Sequence, residues 1–554
     1  MKLVQVIKSS WPLVIALLAW IIAHAFFWDT IPIWDAASVT NCLLNSVIPS
    51  FHLMRLNCHH PSMGYLALLA IGQIIDPGNH VFLTSTNMVL GILGIASFYF
   101  IIVFLFFTTG NGIKSKNQYT SSIEKGLLTL FLVWNPLFFA SSLAPTLDFA
   151  VTVFFLASIA SLMHKRMFAT IGWSTFLVFS KEPGILLYFS IIISLFFYRC
   201  IYGICKGKNP WTHAKKELLH IAPYLFPLVL LVVYFLYRKF VENQPPFWPI
   251  SFSSIFQFGS INQLWMTRSL VRILQAFIFD FHWLYTIPIL FYLLTQCAHM
   301  VHRPLLNVKK IVGSTNQYWV MLIFCFSTFS YFILGYNTYT LPRYVIPLIP
   351  FLILFAYFAF RNLVKNTRLR IPLLVCALSL FILQTFQTVD PVSKAIFGTF
   401  QFGDHAMLRM TSLVNECCGV AGKDHLAYNT EFSVIGDLLD SFYQEIRISP
   451  SMPLLIGNLD AAELFIQADI TTKKRTLRTR NIIIPTIYTP SDLPSMAKDR
   501  IPNQAYFVYL PWSDDLSEEL RRIEKFYSIT GIKTVQKRGY AIKLYALSKK
   551  VNSL

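Results

Sequence analysis

The chain has 554 residues, of which 55% are hydrophobic, 16% aromatic and only 13% charged. Soluble domains carry roughly 25% charged residues, so the composition excludes an ordinary soluble protein and points to a polytopic membrane protein. The formal charge of +19 invites a nucleic-acid partner, but residues 1–389 hold 26 Lys and Arg against 9 Asp and Glu, whereas residues 390–554 hold 20 against 18. The excess lies in the hydrophobic half, where loop lysines and arginines set orientation in a bilayer, and no nucleic-acid partner is expected.

The first apolar run, 11–28, follows Lys2 and Lys8. No small-residue cleavage site comes after it and Asp29 follows at once, so it reads as a retained helix rather than a signal peptide. Next comes FFWDTIPIWDAASV, residues 26–39, with Asp29 and Asp35 at the end of a membrane helix. Acids at a bilayer edge persist where water or a partner reaches them, which makes both candidates for function, with solvated loop aspartates as the plainer reading. The connection 29–80 also holds Arg55, His59, His60 and a short apolar run at 61–75.

Runs of the 17 to 25 residues or so that a span needs fall near 81–107, 123–143, 147–163, 168–180, 185–204, 218–237, 269–295, 318–335, 343–360 and 371–388. With the first run they make eleven. The fifth is short and closes in Ser180-Lys181-Glu182-Pro183-Gly184. If 61–75 lies along the surface, the N-terminal tail and the connections at 108–125, 164–167, 199–217, 299–310 and 361–370 share one face with 19 Lys and Arg, against 7 on the other. The positive-inside rule then makes that face, and the N-terminus, cytoplasmic. The loop 29–80, the turn before Asp148, the Lys181-Glu182 turn, the 238–268 connection, the Tyr336–Arg343 turn and the C-terminal region are expected outside. The cytoplasmic connections read as basic and small polar, without chemistry.

After Asp390 the composition becomes that of a soluble domain, and about 165 residues suffice for one core. Residues 390–554 read as a small α/β domain, with helices near 404–417, 459–468 and 515–528 and strands at 482–488, 505–511 and 540–547. The basic run 473–480 reads as a solvated face or a site for anionic headgroups. The nine cysteines form no CxxC pair; Cys42 with Cys58, or Cys417 with Cys418, are open to oxidation without the sequence requiring it.

Asp148, just after Pro145, opens the 147–163 run, where it either satisfies the helix N-terminus or pairs with Asp35 to hold a nucleophile or a divalent cation. Lys181 pairs with its neighbour Glu182 or contacts a phosphate as a point charge. Arg343, with Tyr336, Tyr339 and Tyr344 around it, either snorkels to headgroups or forms a bidentate phosphate site. His59 and His60 read as general acid, metal ligand or helix cap, the metal signal of two adjacent histidines being weak, and no resident metal or cofactor is expected.

These residues, in this order, resemble the GT-C superfamily of polyprenyl-phosphate-sugar-dependent glycosyltransferases, in particular the protein O-mannosyltransferase and lipid A aminoarabinose transferase branch. Asp35 in IWDAASV stands at the family's acidic motif after helix 1, His60-Pro61-Ser62 at the start of its surface helix, and Asp148 at the acid opening helix 4. Ser180-Lys181-Glu182-Pro183-Gly184 matches the tKxPG type, and Arg343-Tyr344 with Pro347 and Pro350 the RYxxPxxP type. The match covers roughly residues 10–360, with Ala36 where the family usually has Glu and Ser62 at its second proline. The resemblance implies a GT-C-like bundle of about eleven helices over residues 1–389. It also implies inverting transfer of a sugar from a lipid-linked phosphate donor on the outer face, with Asp35 as general base and Arg343 and Lys181 on the phosphate. The acceptor is a lipid, a glycan or a protein. The rivals are a lipid-linked sugar flippase, which internal repeats and broken helices at the midplane would favour, and a non-catalytic membrane scaffold. No Asn-x-Ser/Thr sequon occurs, which favours a bacterial inner membrane over the endoplasmic reticulum. Cysteines introduced at positions 115 and 340 should react with membrane-impermeant reagents from opposite faces, and labelling from one face would overturn this orientation.

Overall fold

The structure, a computed structural model, describes residues 2–28, 35–47, 60–76, 79–107, 118–205, 209–241, 281–302 and 342–385 of the membrane half, with the single residues 323 and 327. In the C-terminal region it describes 401–402, 405–406, 453–456, 487–488, 490, 493–509, 516–537 and 540–550. The membrane half comprises α1 (Lys2–Ala25), α2 (Asp35–Val47), α3 (Met63–Ile75), α4 (His80–Phe107), α5 (Gln118–Val133), α6 (Pro136–Ser142), α7 (Leu147–Met163), α8 (Met167–Val178) and α9 (Glu182–Cys205). It continues through α10 (Pro210–Ile221), α11 (Phe226–Phe240), α12 (Trp283–His302), a 3-10 segment (Pro342–Leu348), α13 (Ile349–Leu363) and α14 (Thr367–Thr385).

Helix α7 is the axis of the bundle. Of its 17 residues only Ser161 is not buried, because it is apolar on every side and therefore needs protein all round it. It is enclosed by α4, α6, α8, α9 and the 3-10 segment. Against it pack Phe138, Phe351 and their neighbours in one continuous apolar cluster. Among the described residues five helical stretches are long and apolar enough to cross a bilayer, and the bent pair α5 and α6 makes a sixth. The run 318–335 falls almost wholly outside the described residues.

Three features depart from the sequence reading. The span expected at 123–143 is broken by 57° between α5 and α6, because Asn135 caps α6 through Phe138 N–H at 3.1 Å and Pro136 takes its first position, where the ring fits and no donor is lost. The connection expected at 199–217 is mostly helix. Asn209 caps α10 through Trp211 N–H at 3.1 Å, the His213 ring lies over Gly203, where a Cβ would come within 1.8 Å, and Arg199 pairs with Glu217 at 2.9 Å. Finally, the connections expected on the cytoplasmic face are not free of acids. Glu124 of α5 is 4% exposed and receives Arg370 of α14 at 2.6 Å and the Tyr357 hydroxyl of α13 at 2.8 Å. That ion pair ties three helices together.

Helix α3 has 13 residues, about 20 Å of helix, too short for a hydrocarbon core of about 30 Å. Tyr65, Leu66 and Leu69 face the protein while Ile71, Ile74 and Ile75 are exposed, as suits a helix lying along the bundle.

In the C-terminal region, β1 (Gln401–Phe402) pairs with β2 (His405–Ala406), and β3 (Leu454–Ile456), β4 (Ile487–Tyr488), β5 (Gln504–Tyr509), β6 (Tyr527–Lys537) and β7 (Tyr540–Lys549) form a sheet of order β4-β3-β5-β7-β6. β3 runs parallel to β4 and β5, while β5, β7 and β6 are antiparallel. Helix α15 (Leu516–Glu524) and two 3-10 turns pack Ile523, Leu493 and Ile501 into the core of this α/β sheet. The helix expected from 404 does not begin there, since His405 and Ala406 are paired as a strand. The helix expected to reach 528 stops at Glu524, because Tyr527 starts β6 with its hydroxyl donated to Pro502 O. β6 escapes sequence detection because the register shift between Ile529 and Gly531 breaks its alternation: Tyr527 and Val535 are buried, while the stretch from Thr530 to Thr534 between them is exposed. The helix at 459–468 and the basic run 473–480 lie outside the described residues.

Substituting Met for Arg370 leaves a buried carboxylate without that cation. Its thermal stability in detergent should fall by the equivalent of about 3–5 kcal/mol, and the double variant Glu124→Gln/Arg370→Met should recover most of the loss.

Candidate functional site

Asp148 sits in the first turn of α7, 2% exposed. Thr146, its helix cap, makes no side-chain capping bond and instead donates to Ser141 O at 2.7 Å, so the carboxylate occupies the positive end of the helix dipole. Lys181 reaches it from the turn between α8 and α9, its Nζ 2.9 Å from both carboxylate oxygens. From the 3-10 segment, Arg343 brings Nε to 3.6 Å of Oδ2. Lys181 is 8% exposed and Arg343 5%. Three residues spaced across almost two hundred positions thus form one buried ionic cluster, with two cations on one acid.

The turn that presents Lys181 is rigid for steric reasons. A Cβ on Gly184 would lie 2.2 Å from Leu177 O, so the chain closes only with glycine there, and Gly184 N–H bonds to Lys181 O at 2.8 Å. Glu182 turns away from Lys181 and bonds to His60 Nδ1 at 2.8 Å. The neighbour pairing of Lys181 with Glu182 is therefore not what forms. Each finds a partner from another element, because the start of α9 fans the two side chains apart.

Helix α3 braces the cluster from two directions. Its Gly64 N–H bonds to Phe179 O at 2.8 Å, and His60 just before it holds Glu182, which fixes the Lys181 turn. Tyr65 of α3 donates to Asn87 of α4 at 2.7 Å, and Asn87 Nδ2 donates to Ala144 O at 2.7 Å, which fixes the turn leading into Asp148. Burial pushes the Tyr65 phenol well above its ordinary range, with the Asn87 bond acting the other way, so the hydroxyl remains a donor. On the far side of the same turn His24 Nε2 is 2.7 Å from the Ser142 hydroxyl.

Of the sequence candidates, the structure brings together Asp148, Lys181 and Arg343 in one cluster and His60 with Glu182 beside it. Asp35 opens α2, which packs on α3. Asp29, Arg55, His59 and Tyr339 lie outside the described residues, as do the side chains of Asp35 and Tyr344. Asp148 was expected either as a helix-end acid or as a partner to Asp35; the structure makes it the shared counter-ion of two cations. No group of three or more His, Cys, Asp or Glu able to hold a metal ion occurs among the described residues. Sequence reading missed Asn87 and Tyr65, whose only signal is polarity inside apolar runs. It also missed Glu124, an acid at the edge of a span, which is a functional or structural flag in its own right.

No family model matches the chain, and no curated protein matches it. Among solved structures it is similar to ArnT from Cupriavidus metallidurans in the apo state, with 11% identity, a TM-score of 0.49 and 97% of each chain covered. It is similar also to the same protein bound to undecaprenyl phosphate, with 14% identity, a TM-score of 0.49 and 97% of each chain covered. A likeness at this level carries no chemistry with it.

The Gly64 contact predicts a specific defect. A Cβ there would lie 3.1 Å from Phe179 O and 3.2 Å from Phe176 O, so Gly64→Ala should lift α3 from the turn at a cost of about 1–3 kcal/mol, read as faster amide exchange across residues 177–184 with exchange in the C-terminal sheet unchanged.

Proposed function

We propose that the protein is a membrane glycosyltransferase of GT-C type that moves a sugar from a polyprenyl-phosphate donor to an acceptor on the non-cytoplasmic face. The observation that carries this reading is the Asp148, Lys181 and Arg343 cluster: the residues that the motif order selects, far apart in sequence, converge in one buried place. An incoming lipid phosphate competes with Asp148 for the two cations. Arg343 offers a planar fork suited to phosphate oxygens and Lys181 a compact charge. Both stabilise the leaving phosphate as its charge grows in the transition state.

Asp35 opens α2, which packs on α3, and serves as general base, taking the proton of the acceptor hydroxyl as that oxygen attacks the anomeric carbon. The sugar–phosphate bond then breaks with inversion. Removal of that proton contributes about 10²- to 10⁴-fold. Asp148 acts by holding the two cations in register, and His60 and Glu182 by holding the Lys181 turn. Asp29, Arg55, His59, Tyr339 and Tyr344 are assigned to the surrounding donor and acceptor surface.

The outer placement of the loop 29–80 and of residues 390–554, with a cytoplasmic N-terminus, is part of the proposal. It is supported by the charge asymmetry of the connections and by a disulfide at Cys42 on α2, since disulfides persist in oxidising compartments. The absence of sequons favours a bacterial inner membrane.

Detergent-purified protein incubated with radiolabelled polyprenyl-phosphate sugars and candidate acceptors should release polyprenyl phosphate and form labelled product. Asp35→Asn should abolish transfer while thermal unfolding stays at the wild-type temperature. Wild-type-like turnover by that variant would remove Asp35 from the mechanism, and sugar-lipid translocation without product would favour the flippase.

A further inference from the structure

Helix α1 carries a histidine on its inner, otherwise apolar side. His24 is 1% exposed and lies between the rings of Trp20 at 4.0 Å and Phe139 at 4.9 Å. Its Nδ1 is 2.9 Å from Trp20 O, one turn back on α1, and its Nε2 is 2.7 Å from the Ser142 hydroxyl at the end of α6. A carbonyl only accepts, so Nδ1 carries a proton and donates to Trp20 O. A second proton on Nε2 would put a charge between two aromatic rings, and a charge buried without a partner is expensive. The ring is therefore neutral, with a lone pair on Nε2. The Ser142 hydroxyl also stands 2.6 Å from Phe139 O, but it has one proton to give and the imidazole nitrogen is the stronger base, so Ser142 donates to His24.

Each side of this bond leads to a carboxylate of the proposed site. On the α1 side the chain passes Phe27, whose ring meets Phe139 edge-on at 6.0 Å, and Trp28, which donates to Ser85 of α4 at 2.8 Å. Asp35 follows at the start of α2. On the α6 side Ser142 leads into the turn where Thr146 donates to Ser141 O and Asn87 to Ala144 O, and Asp148 follows in the first turn of α7. Helix α1 is itself keyed to α4, since Trp20 Nε1 donates to Met88 O at 3.0 Å and a Cβ on Gly91 would lie 2.2 Å from the Trp20 ring. The Asp148 turn thus has ties of its own, and what the His24 bond adds is a direct link from the exit of α1 to that turn.

We propose that His24 is a positioning residue for sugar transfer: through Ser142 it fixes the exit of α1, and with it the base that opens α2, against the turn that presents Asp148 and its two cations. The inference rests on the transferase reading and deepens it. Loss of the bond leaves the grip on phosphate intact, because Lys181 and Arg343 are held by Asp148 itself. It lets the base drift from the acceptor hydroxyl, and a misplacement of about 1 Å costs on the order of 10²-fold in rate.

The test compares the full chain in detergent with His24→Phe, which keeps the ring and frees the Ser142 hydroxyl to turn to Phe139 O, and with the double variant His24→Phe/Ser142→Ala. With radiolabelled polyprenyl-phosphate sugar, kcat should fall by about ten- to a hundredfold in His24→Phe, while KM for the donor and the unfolding temperature stay at their wild-type values. The double variant should fall no further, because both changes remove one interaction. Amides of α2 should exchange faster in His24→Phe, with exchange across α7 unchanged. A wild-type kcat, a loss confined to KM, a loss that accompanies a lowered unfolding temperature, or a further drop in the double variant would each overturn the proposal. A wild-type protein that transfers no sugar would bring down the transferase reading instead. Amide exchange then decides the link by itself: faster exchange in α2 upholds it and unchanged exchange overturns it.

Discussion

The membrane half depends on how a carboxylate is kept inside it. Asp148 opens a helix that is buried on nearly every side, in surroundings where an isolated charge is expensive. The bundle satisfies it by bringing Lys181 and Arg343 to it from two other elements. The arrangement therefore acts as a registration point: the α8–α9 turn and the 3-10 segment can dock on α7 in one way without stranding a charge. Such a pair adds little net stability over an apolar replacement, but it penalises every misalignment. The cost of precision is accepted at the place where the function is proposed.

A second layer repeats the logic around α3. Helix α3, too short to span, is held to the Lys181 turn by one backbone bond and by the pairing of His60 with Glu182, and to the Asp148 turn through Tyr65 and Asn87. One short element thus sets the separation of the two turns. Glu124, Arg370 and Tyr357 do the same work near the opposite end of the bundle, so the helices are pinned at both ends while the apolar middle is left to pack by shape.

Sequence made much of this legible, and the exceptions have physical causes. Span positions were readable because a bilayer demands long apolar runs, and α7 coincides with its run at 147–163. Asp148, Lys181 and Arg343 could be singled out as polar groups at span ends, yet their mutual pairing could not, because pairing partners lie on different elements and periodicity is blind to them. Of the two readings open for Lys181, the pairing with Glu182 fails for that reason: adjacency in sequence says nothing about direction once a helix begins. The break after Trp134 was written in Asn135-Pro136 but masked by the hydrophobicity around it. β6 was invisible because the register shift between Ile529 and Gly531 interrupts its alternation, whereas β5 and β7, central in the sheet, declared themselves.

The bend between α5 and α6 has a wider architectural effect. By tipping its last turns sideways, the chain exposes the carbonyl of Trp134, which the Thr385 hydroxyl takes at 3.0 Å, and lets α6 touch both α14 and the segment carrying Arg343. The end of α14 is consequently fastened to the α5–α6 bend. One bend thus lets a single short helix join the end of α14 to the segment that carries Arg343.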